Sequence, residues 1–282
     1  MIKLKTFLFL ILIIFANSCS KENIKESTIN EKSLDLQVLE AYQEGLASLE
    51  SGDVLFAAKK FNEAEILFPQ GKFAPKSSLM AAYAYYTQDY YGDSIAELER
   101  FIKIYGLHKD LVYAYYLLAV CHYEQIADEK KDLQAIIKAK ENFQIILSNY
   151  PNTEYAIDAE FKIDLINDIL AAKEMYIARY YFDKKKWIPA INRFRKIIDE
   201  YDTTIYAEEA LHRLVEVHYT LGLTDEAERY AQLLGYNYKS SKWYENSYSL
   251  FNKNYEIKKE ERFKTYKKKS NSFLKKFKSL IN

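Results

Sequence analysis

A pattern of small and large residues recurs along the chain and restricts it to paired helices. In the stretch EAYQEGLASLESGDVLFAAKKFNEAEILFP, Gly45, Ala57, Phe61, Ala64 and Pro69 follow one another at intervals of 12, 4, 3 and 5 residues. Residues three and four apart share one face of a helix. The small residues let a first helix, A, approach a second, B, closely. Pro69 ends helix B because proline cannot donate a backbone N–H.

The pattern returns four more times, with polar turns between the helices. The later copies are Ser94, Leu98 and Phe101; Ala139, Phe143, Ile146 and Pro151; Ala178, Ala190, Phe194 and Ile197; and a weaker Val215, Ala227, Ala231 and Leu234. The third copy carries extra residues, because Leu98 and Phe143 are 45 apart. We expect Phe61, Phe143 and Phe194, which occupy one site in successive copies, to be buried between helices.

A helix–turn–helix unit of about 34 residues is typical of tetratricopeptide repeats. With only 7 glycines and 4 prolines, the composition argues against a turn-rich sheet fold. We therefore predict an all-α, right-handed solenoid of about five tetratricopeptide-like helix pairs over residues 34–238, with a C-terminal helix. Five stacked units suffice to bury a continuous core. A generic helical bundle is the alternative.

The amino-terminal residues have the pattern of an export signal. Lys3 and Lys5 precede residues 7–16, a run without any charged or polar side chain. Ten residues are too few for a helix to cross a hydrocarbon layer about 30 Å thick, but they match the apolar core of a signal peptide. We predict that residues 1–18 are a signal peptide.

The end of this signal resembles the lipobox of bacterial lipoproteins, in which a cysteine receives the lipid. Ser18 precedes Cys19 as in that motif, whereas Ala16 stands where leucine is usual. We predict that Cys19 is the acylated amino terminus of the mature chain and that residues 19–33 are a polar tether. An ordinary cleaved signal with an incidental cysteine is the alternative.

Charge is unevenly distributed although the formal net charge is zero. The last thirty residues, 253–282, contain eleven Lys or Arg and three Glu, which gives +8. The signal carries +2, so the remainder carries −10. The chain therefore combines an acidic body with a basic tail, which is a marked charge asymmetry. Once Cys19 is lipidated, Cys121 is the remaining cysteine, which excludes an internal disulfide.

Residues 239–282 are predicted to form a capping segment followed by a basic amphipathic C-terminal helix. Apolar residues recur there at helical spacing: Phe263, Tyr266, Phe273, Phe277 and Leu280. Three roles remain open for this stripe. It could cap the last repeat, dock on a partner, or touch an anionic membrane surface through its lysines.

Catalytic motifs are missing from the sequence. His212 and His218 lie six residues apart, on different sides of a helix, so shared metal ligation is not expected. We found no glycine-rich phosphate loop, HExxH motif or nucleophile elbow. We therefore predict a protein that is not an enzyme and that needs no metal, cofactor or nucleic acid.

Tyrosine is abundant, with 26 residues. The stretch MAAYAYYTQDYY places five tyrosines within nine residues, and VYAYYLLAVCHY repeats the theme. Tyrosine offers a broad apolar ring with one polar tip, which suits the binding of extended peptides. We name Tyr83, Tyr86 and Tyr90 as candidates for a substrate groove, with burial in the core as the alternative for each.

Four stretches resemble the BamD family of lipoproteins, which belongs to the outer-membrane β-barrel assembly (BAM) complex. They are AAYAYYTQDYYGDSIAELERFIKIY, YPNTEYAIDAEFKIDLIND, ARYYFDKKKWIPAINRFRKIIDEYDTT and GLTDEAERYA, and the similarity covers residues 36–234. The resemblance implies a lipid-anchored scaffold on the periplasmic face of the outer membrane. Its partners would be unfolded outer-membrane proteins and a BamA-like barrel-inserting protein, bound through a POTRA domain.

The resemblance also implies that Arg193, in the "NR" of the fourth helix B, pairs with a carboxylate of the BamA-like partner. Arg193 lies three residues after Ala190 and next to Phe194, so we expect it at the edge of the packed face. We also expect its removal to leave the fold intact, since no core contact would be lost. Arg195 should face elsewhere.

Another class of function is a periplasmic tetratricopeptide adaptor that coordinates cell-envelope proteins. Such adaptors usually lack a lipid anchor and carry a coiled coil before the repeats. Cys19 and the lack of heptads in residues 20–33 favour the BamD-like function. The short insertion at residues 128–132 and the basic tail depart from the BamD pattern and leave contacts with accessory lipoproteins open.

Overall fold

A computed structural model of the protein describes residues 33–125, 133–239 and 241–252. These residues form eleven α-helices and no strand: α1 (Leu34–Glu50), α2 (Val54–Leu67), α3 (Ala74–Tyr86), α4 (Tyr91–Ile104), α5 (Leu111–Glu124), α6 (Gln134–Asn149), α7 (Glu154–Asp183), α8 (Trp187–Glu200), α9 (Ala207–Thr220), α10 (Thr224–Asn237) and α11 (Lys242–Phe251). The signal peptide, Cys19, nearly all of the tether and the basic tail lie outside the described residues.

Successive helices pack as A–B pairs. The pairs are α1 with α2, α3 with α4, α5 with α6, α7 with α8, and α9 with α10, and α11 packs on α9 and α10. The predicted all-α solenoid of five tetratricopeptide-like pairs is confirmed.

Four of the turns between helix A and helix B share one backbone conformation. Gly52, Asp89, Lys185 and Gly222 occupy the same position in their turns, and each has a positive φ of 85°, 62°, 55° and 78°, respectively. The residue that follows each donates its N–H to a carbonyl five positions back, for example Asp53 to Ser48 at 2.9 Å. This is the Schellman arrangement, which ends a helix with one left-handed residue. Glycine adopts that conformation without steric cost.

The repeated large residue of helix B fills the gap between the helices of each pair. Phe61, Leu98, Phe143 and Phe194 are fully buried, so the predicted burial of the three phenylalanines is confirmed. In the weak fifth copy the position holds Ala231, which is only half-buried.

The facing position on helix A compensates for this difference in size. A Cβ atom added to Gly45 would lie 2.8 Å from the Phe61 ring, closer than packing permits. In the fifth pair, the equivalent positions hold the larger Val215 on helix A and the smaller Ala231 on helix B. A large residue on one helix thus goes with a small one on the other, as close packing requires.

The helix α7 is about twice as long as its counterparts. It has 30 residues, whereas α3, α5 and α9 have 13 or 14. Its first half joins the core of the third pair, where Ala159 and Ile166 pack with Phe143. Its second half pairs with α8, where Met175 and Ala178 pack against Phe194. The spacing of the repeats predicts an insertion before Phe143; the extra length of α7 is a second insertion that was not predicted, and it separates Phe143 from Phe194 by 51 residues.

Candidate functional site

A buried carboxylate in the second half of α7 binds two cations of α8. Glu174 accepts a hydrogen bond from Arg193 Nη1 at Oε2 and another from Lys196 Nζ at Oε1, both at 2.8 Å. The side chain of Glu174 is 9% exposed, against 40% for Arg193 and 38% for Lys196. Residues Glu174, Arg193 and Lys196 are called the Glu174 group below.

The two cations determine the ionisation of Glu174. Burial alone would raise the pKa of this carboxyl group, but the hydrogen bonds from Lys196 and Arg193 outweigh burial and hold the pKa below its ordinary value. Glu174 is therefore a carboxylate at neutral pH. Arg193 extends from this anchor to the surface, beside the buried Phe194.

The expectation that Arg193 makes no contact with the protein interior is wrong. Its position at the edge of the packed face agrees with the sequence pattern, but nothing in that pattern indicates Glu174 as its partner. Truncation of Arg193 would remove one of the two ion pairs of a buried carboxylate. Arg195 points away from this group, as expected, and its Nε lies 3.0 Å from the Tyr230 hydroxyl.

A second ion-pair group connects the end of α7 to α9. Arg179 binds Glu209 through both Nε, at 2.9 Å, and Nη2. Glu209 is buried, and Arg213 on the same helix bridges to Glu216 at 2.7 Å. Arg179 and Glu209 lie 30 positions apart in the sequence, and the helical spacing of apolar residues does not indicate that they pair.

Tyrosines of three successive A helices lie side by side. The Tyr83 and Tyr86 rings on α3 are 6.4 Å apart. On the neighbouring A helices, the Tyr155 ring of α7 lies 6.0 Å from that of Tyr113 and 5.0 Å from that of Tyr116, both on α5. We call these five residues the tyrosine row.

The hydroxyl groups of the row are partly removed from water. Burial raises the pKa of Tyr113, and the nearby Tyr83, Tyr155 and Tyr86 add to the shift. Burial, together with a 2.9 Å hydrogen bond to Asp158, raises the pKa of Tyr116 to about 12. The row is therefore a largely apolar, uncharged surface with hydroxyl groups at its edge.

The three groove candidates do not all belong to this row. Tyr83, which is 36% exposed, and the half-buried Tyr86 are members. Tyr90 instead precedes α4 as its N-cap residue and is 41% exposed. Sequence reasoning missed Tyr155, and it did not single out Tyr113 or Tyr116, although all three lie on A helices.

The described residues hold no group of three or more His, Cys, Asp or Glu side chains that could bind a metal ion. His212 lies between α9 and α11, with Nδ1 2.8 Å from Ser247 Oγ, and His218 contacts the backbone carbonyl of Leu214. In the same ranges, no helix is both long and apolar enough to cross a membrane.

Comparison with known proteins gives one consistent result. The family model described as "YfiO: Outer membrane lipoprotein" matches residues 34–233. The chain is 42% identical over 215 residues to the outer membrane protein assembly factor BamD of Rickettsia prowazekii, covering 76% of this chain and 85% of that one. It is 40% identical over 213 residues to BamD of Caulobacter vibrioides, covering 76% and 70%.

Similarity to solved structures is looser. The TPR2AB-domain:pHSP90 complex of yeast Sti1 matches 76% of this chain and 82% of its own, with 13% identity and a TM-score of 0.40. The MamA protein matches 71% of this chain and 91% of its own, with 18% identity and a TM-score of 0.37.

Proposed function

The chain belongs to the YfiO family of outer membrane lipoproteins, and on this premise we propose that it is an assembly factor for outer-membrane β-barrel proteins. In this proposal it is a scaffold without catalytic activity, held at the periplasmic face of the outer membrane. Its A helices receive unfolded barrel proteins, and its fourth helix pair binds a BamA-like partner through a POTRA domain.

Arg193 is the residue to which we assign the partner contact, and its environment in the Glu174 group carries the proposal. Glu174 uses Nη1 of the guanidinium, while no acceptor in the described residues contacts Nε or Nη2. Arginine presents its donors in a planar fork that binds a carboxylate bidentately. A guanidinium that is fixed at one corner and exposed by 40% is oriented for an acidic group on a partner.

The test is co-purification of the POTRA-containing partner with variants of the full chain. Arg193→Ala should weaken binding by about 2–5 kcal/mol, or roughly 30-fold to several thousand-fold, because it leaves the partner's carboxylate without its cation. Arg193→Lys should restore only part of the affinity, since lysine lacks the fork.

Two controls separate this contact from a structural effect. Lys196→Ala removes the other cation from the same Glu174, and Arg195→Ala removes an exposed arginine two positions away. Both should keep the partner. Equal losses of partner with Arg193→Ala and Lys196→Ala would mean that Arg193 acts by supporting the fold, and the assignment would fail.

The tyrosine row is our candidate for the surface that receives unfolded barrel proteins. The strands of such substrates alternate apolar and polar side chains, with aromatic residues concentrated near both membrane interfaces. Aromatic rings with a polar tip bind such apolar side chains at low entropic cost. Tyr83→Ala should reduce photocrosslinking of a barrel-derived peptide. Tyr236→Ala, at an 89% exposed tyrosine on α10, should leave it unchanged, and equal losses would contradict the proposal.

Membrane attachment is proposed to depend on Cys19. Acylation at the new amino terminus supplies more than one chain, which a stable anchor requires. Mass spectrometry of the membrane-extracted protein should find a lipid adduct on Cys19. A Cys19→Ala protein that remained wholly in the membrane fraction would contradict this assignment.

A further inference from the structure

The first half of α7 carries apolar side chains on its solvent face. Ile157 is 75% exposed and Phe161 is 61% exposed. They are four residues apart, so their side chains lie next to each other. The opposite face of this half packs on the third pair through Ala159 and Ile166. Because α8 pairs only with the second half of α7, no described helix covers Ile157 and Phe161.

Acidic residues border this apolar face. Glu160 and Asp164 follow Ile157 by three and seven positions, and Asp168 follows Phe161 by seven. At these spacings they lie on the same side of the helix. Glu160 and Asp164 are exposed and Asp168 is half-exposed. The face formed by these five residues, which we call the α7 face, is both apolar and negatively charged.

We propose that the end of the chain itself, residues 263–282, docks on the α7 face as an amphipathic helix. This segment contains seven lysines and no acidic residue, and it carries the apolar stripe Phe263, Tyr266, Phe273, Phe277 and Leu280. Its apolar side matches Ile157 and Phe161, and its lysines match the three carboxylates. The body and the tail as a whole also carry opposite net charges, −10 and +8, so they attract each other.

The tail is long enough to reach this face. The Arg213 guanidinium lies 5.0 Å from the Phe182 ring near the end of α7 and 5.6 Å from the Trp243 ring at the start of α11. The tail leaves from the end of α11, where the Phe251 ring lies 5.4 Å from that of Tyr219, six residues or about 9 Å beyond Arg213 along α9. From Phe182 back to Asp168, at the near end of the α7 face, is about 21 Å along a helix. Residues 253–262 span about 33 Å when extended.

The docked segment also fits in length. As a helix, residues 263–280 would be about 26 Å long, and residues 154–168 of α7 occupy about 22 Å. Tyr155 lies on the opposite side of this half of α7, against Tyr113 and Tyr116, so the docked tail would leave the tyrosine row uncovered. The docking is therefore independent of the proposed function.

Photocrosslinking in the full chain, purified in detergent, tests the proposal. A benzophenone side chain placed at position 161 should crosslink to residues 263–282 of the same chain, as identified by mass spectrometry of the monomer band. Raising the salt concentration from about 0.05 to 0.5 M should lower the yield, because exposed charge pairs are screened.

Matched variants locate the docking surface. Ile157→Asp should reduce the crosslink about threefold to tenfold, since it puts a carboxylate where an apolar side chain is to be covered. Ile205→Asp is the control, because Ile205 is equally exposed at 77% but lies before α9. The double change Glu160→Lys and Asp164→Lys alters only exposed residues, so it tests the charge match even if Ile157→Asp failed to fold.

The proposal is overturned by three results. One is a crosslink that joins two copies of the chain, and another is a crosslink to detergent alone. The third is a yield that neither Ile157→Asp nor the double lysine variant lowers relative to Ile205→Asp.

Discussion

Two groups of charged residues occupy equivalent positions in the second and fourth helix pairs. Arg100 lies two residues after Leu98, as Lys196 does after Phe194, and Glu97 lies one residue before Leu98, as Arg193 does before Phe194. The A helices contribute Ser78 in the second pair and Glu174 in the fourth, each 20 residues before the large residue of helix B. The repeat therefore brings the same positions together twice.

The chemistry at these positions is reversed. In the second pair, one cation binds two carboxylates, one of which, Glu65, comes from α2 of the first pair. Arg100 binds both oxygens of the buried Glu65, at 2.8 and 2.6 Å, and binds Glu97 at 2.8 Å. It also contacts Ser78 at 3.1 Å. Hydrogen bonds to Glu65 are the main reason that the pKa of Arg100 is raised. In the fourth pair, one carboxylate serves two cations.

This difference shows which of the two pairs has hydrogen-bond donors on a cation that the rest of the described protein does not use. The Arg100 guanidinium is fully engaged within the protein, so the second pair offers no free cation at this position. In the Glu174 group, by contrast, the single carboxylate leaves Nε and Nη2 of Arg193 unused within the described residues. The geometry of the repeat fixes the distances, and the residue types decide whether a position supports the fold or is available to a partner.

The largest expected effect tests what the two regions share. Phe61→Ala and Phe194→Ala should each destabilise the protein by about 3–5 kcal/mol, because each leaves a cavity at the same position of a pair. Denaturant unfolding measures the change. Tyr236→Ala is the control, since that side chain is 89% exposed and its loss should change stability by no more than about 0.5 kcal/mol. A similar value for all three variants would contradict the assigned repeat positions.

The next effect separates the two charged groups. Arg100→Ala should cost about 2–3 kcal/mol of stability, because it leaves the buried Glu65 without its cation. Arg193→Ala should cost only about 1 kcal/mol, since Lys196 still pairs with Glu174. Thermal unfolding of both variants measures the difference. If Arg193→Ala lowered the stability more than Arg100→Ala, the conclusion that Arg193 contributes less to folding than Arg100 would be wrong.

A smaller effect is expected from His212, at the end of the solenoid where α11 packs. Burial lowers the pKa of His212, with Glu216 opposing this shift and Arg213 adding to it. Glu209 on the same helix and Ser247 on α11 also face the ring. The unfolded chain binds a proton here more readily than the folded one. This contribution to stability is therefore complete above about pH 6.5 and declines as the pH falls below that value.

The pH dependence should be visible as a slope of at most about 1.4 kcal/mol per pH unit for this one group. His212→Gln should flatten the curve of unfolding free energy between pH 7 and 5. His122→Gln is the matched comparison, because burial also lowers the pKa of His122, in the middle of the solenoid. If the curve for His212→Gln coincided with that of the unchanged protein, His212 would be excluded as a source of the pH dependence.

The smallest effect concerns the turns of the first and fourth pairs, which have different residues, Gly52 and Lys185, at the position with a positive φ. Lys185 has a φ of 55° and Gly52 a φ of 85°. Lys185→Gly should stabilise the protein by up to about 1 kcal/mol, and Gly52→Ala should destabilise it by about the same amount. Thermal midpoints measure both. Opposite signs are the essential result, and a loss of stability from Lys185→Gly would show that this lysine has another role.

The sequence by itself determined the helix pairs and their packed positions. Residues three and four apart share a helix face regardless of what the helix meets, so Phe61, Phe143 and Phe194 could be assigned to the core from spacing alone. The same local rule brought Arg193 to the edge of a packed face. Tyr83 and Tyr86, three residues apart, obey the same rule and lie next to each other on α3, whereas Tyr90 lies before α4.

Only the tertiary structure decided which distant residues meet. Glu65 and Arg100 are 35 residues apart, Arg179 and Glu209 are 30 apart, and Glu174 and Arg193 are 19 apart. Each pairing depends on the angle at which whole helices stack, which no local spacing encodes. The same holds for α7. The absence of Gly and Pro between Pro151 and Pro189 permits a long helix, but packing against two neighbouring pairs decides that it continues and that Ile157 and Phe161 face solvent.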